Sequence, residues 1–230
     1  MRTFKATAGP FQEGVYYPDG DIENICNDEL FRVGLLPQEP EPIRIDRFIE
    51  KRFGVVPRYE DLGSGVLGLT KFTRKGVAEV IVSKTLEEEG DIVAERRIRT
   101  TLAHEGGHGL LHTHLFVLES QEQPLFGDFS VPSKPKVLCR DEKAVGSGYT
   151  RQWWEIQANK AMGALLMPKQ LVEIAVKPYL TKSGLLGMEV LSASDRIVAV
   201  RKLADIFDVN PVVVRIRLGK MYPETGQLSL

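Results

Sequence analysis

The chain has 230 residues, of which 43% are hydrophobic and 27% charged, and its net charge is −1 at pH 7. A chain of this size and mixture forms one or two domains that bury a core without disulfide staples, and its charge excludes a global field for nucleic acid or anionic membranes. No apolar run approaches the roughly 20 residues that span a bilayer, which excludes a membrane-spanning helix.

The amino terminus and the cysteines bear on the cellular compartment. The first ten residues lack the apolar core of a secretion signal. The two cysteines, Cys26 and Cys139, lie far apart in the sequence and are more typical of free thiols than of a disulfide framework. We therefore expect a cytoplasmic protein.

Residues 1–42 are predicted to form an amino-terminal arm and linker. A helix is predicted over residues 21–36, because Gly20 precedes this segment and prolines follow it. The segment 37–42 alternates proline with polar residues, which is typical of a stiff linker.

A helix and a β-hairpin are predicted next. Over residues 45–53 the apolar positions fall on one helical face, and Gly54 is the expected end of the helix. Residues 65–72 and 77–82 have the composition of strands, and the segment 73–76 between them is typical of a hairpin turn. A small antiparallel sheet is therefore expected before the longest helix.

The helix predicted from about residue 91 to 114 carries the most informative motif, H-E-x-x-H, at His104, Glu105 and His108. One helical turn separates the two histidines, so both imidazoles project from one face and can share one ion. Glu105 falls beside them, where a carboxylate can take a proton from water activated by the metal. This pattern predicts a zinc hydrolase.

A surface helix with solvated histidines is the alternative interpretation of this motif. Four apolar residues on both sides of the motif argue against it: Leu102, Ala103, Leu110 and Leu111. Histidines in such surroundings need polar partners, because an unsatisfied buried imidazole is costly.

Residues 115–148 are rich in proline, glycine, serine and charge, and they predict an excursion with little regular structure. Such a segment is either a lid at the substrate rim or a disordered loop. A second strong helix is predicted over residues 149–167, and Pro168 is expected in the first turn of a further helix that ends at Val176.

The carboxyl-terminal segment has the outline of a helix-turn-helix. Ser194 is the expected cap of a helix through Phe207, and Asn210 of the next helix, which has Pro211 at its first position. From residue 195 to 220 there are six Lys or Arg and three Asp, a small positive excess.

Hydrolysis requires a third protein ligand for zinc and an open coordination position. His114 lies six residues after His108, but the chain reversal that would bring it back needs glycine midway, where this chain has Leu111. His112 lies two helical turns from His104, which is too far to share the ion, and we interpret it as a cation near the helix end.

Glu155 is the third candidate ligand. It lies in the helix predicted over 149–167, beside an apolar stripe formed by Trp154, Ala158, Ala161, Leu165 and Leu166. A carboxylate in that position should be paired or bound to a cation, although a solvated helix glutamate is a common alternative.

The segments TLAHEGGH, at 101–108, and EIQANKAMGALLMP, at 155–168, resemble the two motif helices of the ImmA/IrrE family of zinc metallopeptidases. Residues 203–211, with Arg217 and Leu218, are similar to that family's helical tail. The sequence departs from the family at Gly106, where a bulkier residue is usual, and in a longer interval between the motifs.

The resemblance implies a mostly helical α+β fold with a zincin-like core, a small antiparallel sheet and a carboxyl-terminal helix pair. It implies His104, His108 and Glu155 as zinc ligands and Glu105 as the catalytic base. The domain organisation that follows is an arm over 1–42, a metallopeptidase domain over 43–180 with the insertion 115–148, and a helical segment over 181–230.

The function expected on this basis is zinc-dependent cleavage of a helix-turn-helix transcriptional repressor, which switches on gene expression in a mobile element or a stress response. An extended substrate is expected to pair with residues 77–82 as an edge strand. Tyr149 and Arg151 are the nearest candidates for stabilising the oxyanion. The alternative is a DNA- or regulator-binding protein with a structural or vestigial metal site, although the charge excess is small for DNA binding.

Overall fold

The computed structural model describes residues 2–5, 13–115, 136–141, 152–183 and 188–223, with the backbone alone described at 136–141, 183 and 188. Within these ranges the fold is mixed α+β, with helices around small sheets. None of the helices in this part of the chain is both long and apolar enough to cross a lipid bilayer. Tyr149, Arg151 and most of the predicted excursion 115–148 lie outside the described residues.

The amino-terminal segment is packed into the core. Strands β1 (Arg2–Lys5) and β2 (Glu13–Tyr16) pair antiparallel, and helix α1 (Asp19–Arg32) follows. The predicted helix thus begins two residues earlier and ends four residues earlier than expected, because the backbone turns left-handed at Gly34, with φ of 67°. Its buried side chains Ile22, Cys26 and Leu30 recur every four residues, so one face of α1 lies in the core.

Helix α2 (Ile45–Phe53) has the predicted bounds. It ends at Gly54, whose φ of 72° is the left-handed conformation that glycine adopts at little cost, so the predicted stop is confirmed. Phe48 and Ile49 are buried against the core.

The predicted hairpin is present as β4 (Val66–Thr73) and β5 (Gly76–Ser83), which pair antiparallel. Strand β3 (Arg58–Glu60) and strand β6 (Lys136–Asp141) extend it to a four-stranded sheet in the order β3-β5-β4-β6. The pairings of β4 with β5 and β6 are antiparallel, as expected, and the one parallel pairing, of β3 with β5, makes the sheet mixed.

The prediction that residues 77–82 form an edge strand is wrong in part. Ile81 and Val82 pair with β3 on one side and with β4 on the other. Strand β6 pairs antiparallel with the second edge of β4. It lies within the segment 115–148, for which little regular structure was predicted, so the prediction is wrong for residues 136–141.

Helix α3 (Lys84–Glu89) leads into the long helix α4 (Ile92–Leu111). The Asp91 side chain accepts a hydrogen bond from the Ala94 amide at 2.7 Å, which satisfies one of the free donors at the start of α4. The helix ends at Leu111, three residues before the predicted end, and the His112 amide donates to the His108 carbonyl as its cap. On its two sides α4 packs against the sheet and against helix α5 (Trp153–Leu166).

Glycines allow the close approach of α4 to its neighbours. A Cβ on Gly107 would lie 2.9 Å from Ala161 Cβ and 3.0 Å from the Ala158 carbonyl oxygen of α5. A Cβ on Gly106 would meet its nearest neighbour at 3.7 Å, which is ordinary van der Waals contact. Close packing therefore requires glycine at 107 and leaves room for a side chain at 106.

Helix α6 (Lys169–Val176) follows α5 as predicted, but Pro168 is its N-cap residue and lies just outside the first turn. A 3-10 turn (Lys177–Tyr179) and two short antiparallel strands, β7 (Thr181–Ser183) and β8 (Met188–Val190), connect it to the carboxyl-terminal helices.

Helices α7 (Ala193–Ile206) and α8 (Pro211–Met221) form the predicted pair. Ser192, and not Ser194, caps α7, since its hydroxyl accepts from the Asp195 amide at 3.1 Å. The turn between the helices is fixed to α4, because Arg96 donates to Asp208 at 3.0 Å. Asn210 and Pro211 occupy their predicted positions at the start of α8.

Candidate metal centre

The two histidines of the motif face each other on α4. His104 Nε2 and His108 Nε2 are 3.0 Å apart, and both side chains are buried. The spacing of four residues places them one turn apart on the same face, as the sequence predicts. Both nitrogens point at the facing helix, α5.

Glu155 lies opposite them, in the first turn of α5. Its Oε2 is 3.0 Å from His104 Nε2, and its Oε1 is 3.3 Å from His108 Nε2. Among the described residues these three side chains form the one group of His, Cys, Asp or Glu ligand atoms that lie within 4.8 Å of one another. The predicted convergence of two helices on three ligand atoms is therefore present.

The other two histidines are not in this group. His114 lies beyond the end of α4, and burial lowers the pKa of its imidazole. His112 is fully buried, and its pKa is lowered well below the usual value, first by burial and then by the neighbouring His108. The interpretation of His112 as a cation at the helix end is therefore wrong, because a neutral imidazole occupies that position.

The geometry of the three ligand atoms suits a small tetrahedral cation. Ligands at about 2.0–2.1 Å from zinc in a tetrahedral arrangement lie about 3.3 Å from one another. The measured separations of 3.0 to 3.3 Å are close to this value. Two imidazole nitrogens and one carboxylate oxygen also match the donors of zinc, whereas Ca²⁺ and Mg²⁺ take oxygen ligands.

The charge of Glu155 suits a metal ligand as well. Burial by itself raises the pKa of this carboxyl group, but its contacts with His104 and His108 outweigh burial and hold the pKa well below the usual range. The carboxylate is therefore ionised at neutral pH and supplies one negative charge to the centre.

The imidazoles of His104 and His108 each have a hydrogen-bond partner on Nδ1. His104 Nδ1 lies 3.1 Å from Asn159 Oδ1, and His108 Nδ1 lies 3.0 Å from His112 Nδ1. Such partners orient the ring and leave the opposite nitrogen for the metal. The sequence-based search for ligands missed both partners, although each lies one turn after a predicted ligand, Asn159 after Glu155 and His112 after His108.

Glu105 is buried on the side of α4 that faces the sheet. The Thr70 hydroxyl of β4 donates to Glu105 Oε2 at 2.7 Å. The strand approaches this carboxylate closely, since a Cβ on Gly68 would lie 3.1 Å from Glu105 Oε1. The sequence carried no signal for Thr70, because this contact joins residues 35 positions apart.

No model of a known protein family matches the sequence, and no curated protein matches it. The resemblance to the ImmA/IrrE peptidases therefore rests on the motif residues of α4 and α5 and on the similar helical tail.

Proposed function

We propose that this protein is a zinc-dependent endopeptidase of the ImmA/IrrE type, with a zincin-like core. The observation that carries the proposal is the convergence of His104, His108 and Glu155 on one point, with Glu105 in the next position of the same helix. The first three residues are assigned as metal ligands and Glu105 as the catalytic base. The separations of the ligand atoms and the donor types favour zinc.

The chain's own groups then have defined tasks in hydrolysis. A zinc ion bound here would supply a Lewis acid for the water and for the scissile carbonyl. Glu105 would accept the proton of the attacking water and return it to the leaving amine. Thr70 holds the Glu105 carboxylate in one orientation, so the base is positioned before substrate binds.

The Glu105 carboxylate also argues against two other kinds of metal centre. Two histidines and one carboxylate bind iron in non-haem oxygenases, but those enzymes have no need of a buried base beside the ligands. Structural zinc sites have four protein ligands, whereas the group in the described part of the chain has three. A base next to an incomplete ligand set favours hydrolysis.

The resemblance extends the proposal to the substrate. We propose that the substrate is a helix-turn-helix transcriptional repressor and that its cleavage switches on gene expression in the cytoplasm. Extended peptides bind peptidases by adding a strand to a sheet edge. Strand β4, which contacts Glu105 through Thr70, pairs with β6 on its second edge. A substrate strand therefore adds to the outer edge of β6 or replaces β6.

The alternative function, binding of DNA or a regulator by the carboxyl-terminal helices, has less support. In α8 the side chains of Val213, Val214 and Leu218 are buried against the core. Arg217 is buried and paired with Glu23, so it is not available to a phosphate. Tight DNA binding that weakens steeply with salt in a filter-binding assay, without proteolysis, would favour the alternative.

The proposed function is tested by replacing the base. We expect Glu105→Gln to bind zinc as the wild type does and to lose cleavage of a helix-turn-helix repressor that the wild type cleaves by at least about a hundred-fold, because general base catalysis contributes about 10²–10⁴-fold. Zinc content is measured by mass spectrometry, and cleavage by gel electrophoresis.

The matched control is Glu95→Gln, which removes an exposed carboxylate from the first turn of the same helix. It should leave both zinc binding and cleavage unchanged. Normal cleavage by zinc-loaded Glu105→Gln would rule out Glu105 as the base, and iron in place of zinc in the purified protein would rule out the proposed cofactor.

A further inference from the structure

A chain of buried hydrogen bonds leads from the metal centre to the amino-terminal strand β2. His108 Nδ1 lies 3.0 Å from His112 Nδ1, and His112 Nε2 lies 3.0 Å from Gln157 Oε1. The Gln157 amide nitrogen donates to the Val15 carbonyl oxygen at 2.6 Å. All four residues are buried, so water does not compete for these contacts.

The Val15 carbonyl determines which atom donates in each hydrogen bond of this series. A backbone carbonyl only accepts, so the amide nitrogen of Gln157 must face it, and Gln157 Oε1 must face His112. The reverse amide orientation would place two oxygen acceptors 2.6 Å apart. Because Oε1 only accepts, the proton of His112 lies on Nε2.

The position of the proton on His112 determines which nitrogen of His108 carries a proton. Burial favours the neutral form of His112, whose ring nitrogens contact a neutral amide and an imidazole. A neutral imidazole has a single N–H, so His112 Nδ1 carries a lone pair and accepts a hydrogen bond. His108 Nδ1 must therefore carry a proton and donate it. This leaves the lone pair of His108 on Nε2, the atom that lies 3.0 Å from His104 Nε2 and 3.3 Å from Glu155.

We propose that Val15, Gln157 and His112 fix the tautomer of His108 and so aim its Nε2 at the metal. Gln157 and His112 are positioning residues, and strand β2 belongs functionally to the metal centre. The inference rests on the proposed metal site. The amino-terminal strand β2 lies outside the two motif helices, and the proposal gives this strand a specific task.

The two proposed histidine ligands differ in the groups that surround the hydrogen-bond partner of Nδ1. His104 Nδ1 contacts Asn159, on the same helix as Glu155. The partner of His108 is oriented by two further groups on two other elements, α5 and β2. Changes at Gln157 should therefore affect His108 selectively, and changes at Asn159 should affect His104.

The test compares the wild type with Gln157→Leu. Leucine has a similar volume and removes both hydrogen bonds. Two quantities are measured: the protonation of each His108 nitrogen, by ¹⁵N-edited NMR with and without zinc, and the dissociation constant of zinc, by competition with a chromophoric chelator.

In the wild type we expect His108 Nδ1 to carry a proton in both states. In Gln157→Leu we expect a population with the proton on Nε2 alone and a zinc affinity weaker by about 10- to 100-fold, the usual effect of losing a partner behind a metal ligand. Asn159→Leu should leave the His108 signals unchanged and shift those of His104.

The proposal is overturned if the wild-type His108 carries its proton on Nε2 alone, or if Gln157→Leu changes neither the Nδ1 proton nor the zinc affinity. An equal response of His108 to Asn159→Leu would also overturn it. If Gln157→Leu does not fold, the metal-free NMR spectrum of the wild type still shows which nitrogen of His108 carries the proton. Failure of the metal site itself gives a different result, a wild type that binds no zinc while its Nδ1 proton is present.

Discussion

At the scale of single residues, Thr70 connects the sheet to the proposed chemistry. Its side chain is fully buried, and its hydroxyl donates to Glu105 Oε2 at 2.7 Å. A hydrogen bond to a charged group contributes about 1.5–3 kcal/mol. Thr70 therefore positions the Glu105 carboxylate.

We predict that Thr70→Val lowers kcat/KM about ten-fold, chiefly through kcat, because the Glu105 carboxylate loses the hydroxyl that orients it. Thr70→Ser keeps the hydroxyl and is the control with near wild-type kinetics. An unchanged kcat in Thr70→Val would reduce Thr70 to a packing role.

Residues of the site differ in how far the sequence predicts them. His104, Glu105 and His108 are set by the period of one helix, and Glu155 by its place beside an apolar stripe. Thr70 and Gln157 are not predictable in this way, since their partners lie on elements distant in the sequence. His112 was misinterpreted because its burial depends on α5 packing over the end of α4.

At the scale of secondary-structure elements, the contact between α4 and α5 holds the proposed metal centre together, since two proposed ligands lie on α4 and the third on α5. We predict that Gly107→Ala forces the helices apart, because the added Cβ would lie 2.9 Å from Ala161 Cβ. Overpacking of this kind costs about 1–3 kcal/mol, and zinc affinity should fall as Glu155 moves from the histidines.

Gly106→Ala is the matched control on the same helix. Its Cβ would meet Leu165 at 3.7 Å, an ordinary contact, so the better helix propensity of alanine should stabilise the protein by about 1 kcal/mol. Urea unfolding and zinc titration measure both variants. Wild-type zinc affinity in Gly107→Ala would show that the helix contact does not set the ligand geometry.

Secondary-structure elements are predictable where the signal lies within the element itself, as an apolar period or as a glycine at its end. Helix α2 with its Gly54 end and the hairpin of β4 and β5 are confirmed. Strands β3 and β6 were missed, because short segments that complete a sheet have little period of their own. The Ser192 cap was misplaced by two residues, since two serines next to the helix start offer the same signal.

At the scale of the whole molecule, one buried arginine joins the two ends of the described chain. Arg217 of α8 donates to Glu23 of α1 at 2.7 Å and to the Met167 carbonyl at 2.9 Å. Buried residues of α1, α5 and α8 belong to one hydrophobic cluster.

We predict that Arg217→Met destabilises the protein by about 2–3 kcal/mol in urea unfolding. Breaking a fully buried ion pair costs about 3–5 kcal/mol. We expect a smaller loss of stability here because the Glu23 side chain is 26% exposed and stays partly hydrated. The Met167 carbonyl loses both of its donors from this side chain in the same variant. Arg215→Met, an exposed change on the same helix, should stay within about 0.5 kcal/mol of the wild type. Equal stability of the two variants would mean that the carboxyl-terminal helices are held by apolar packing alone.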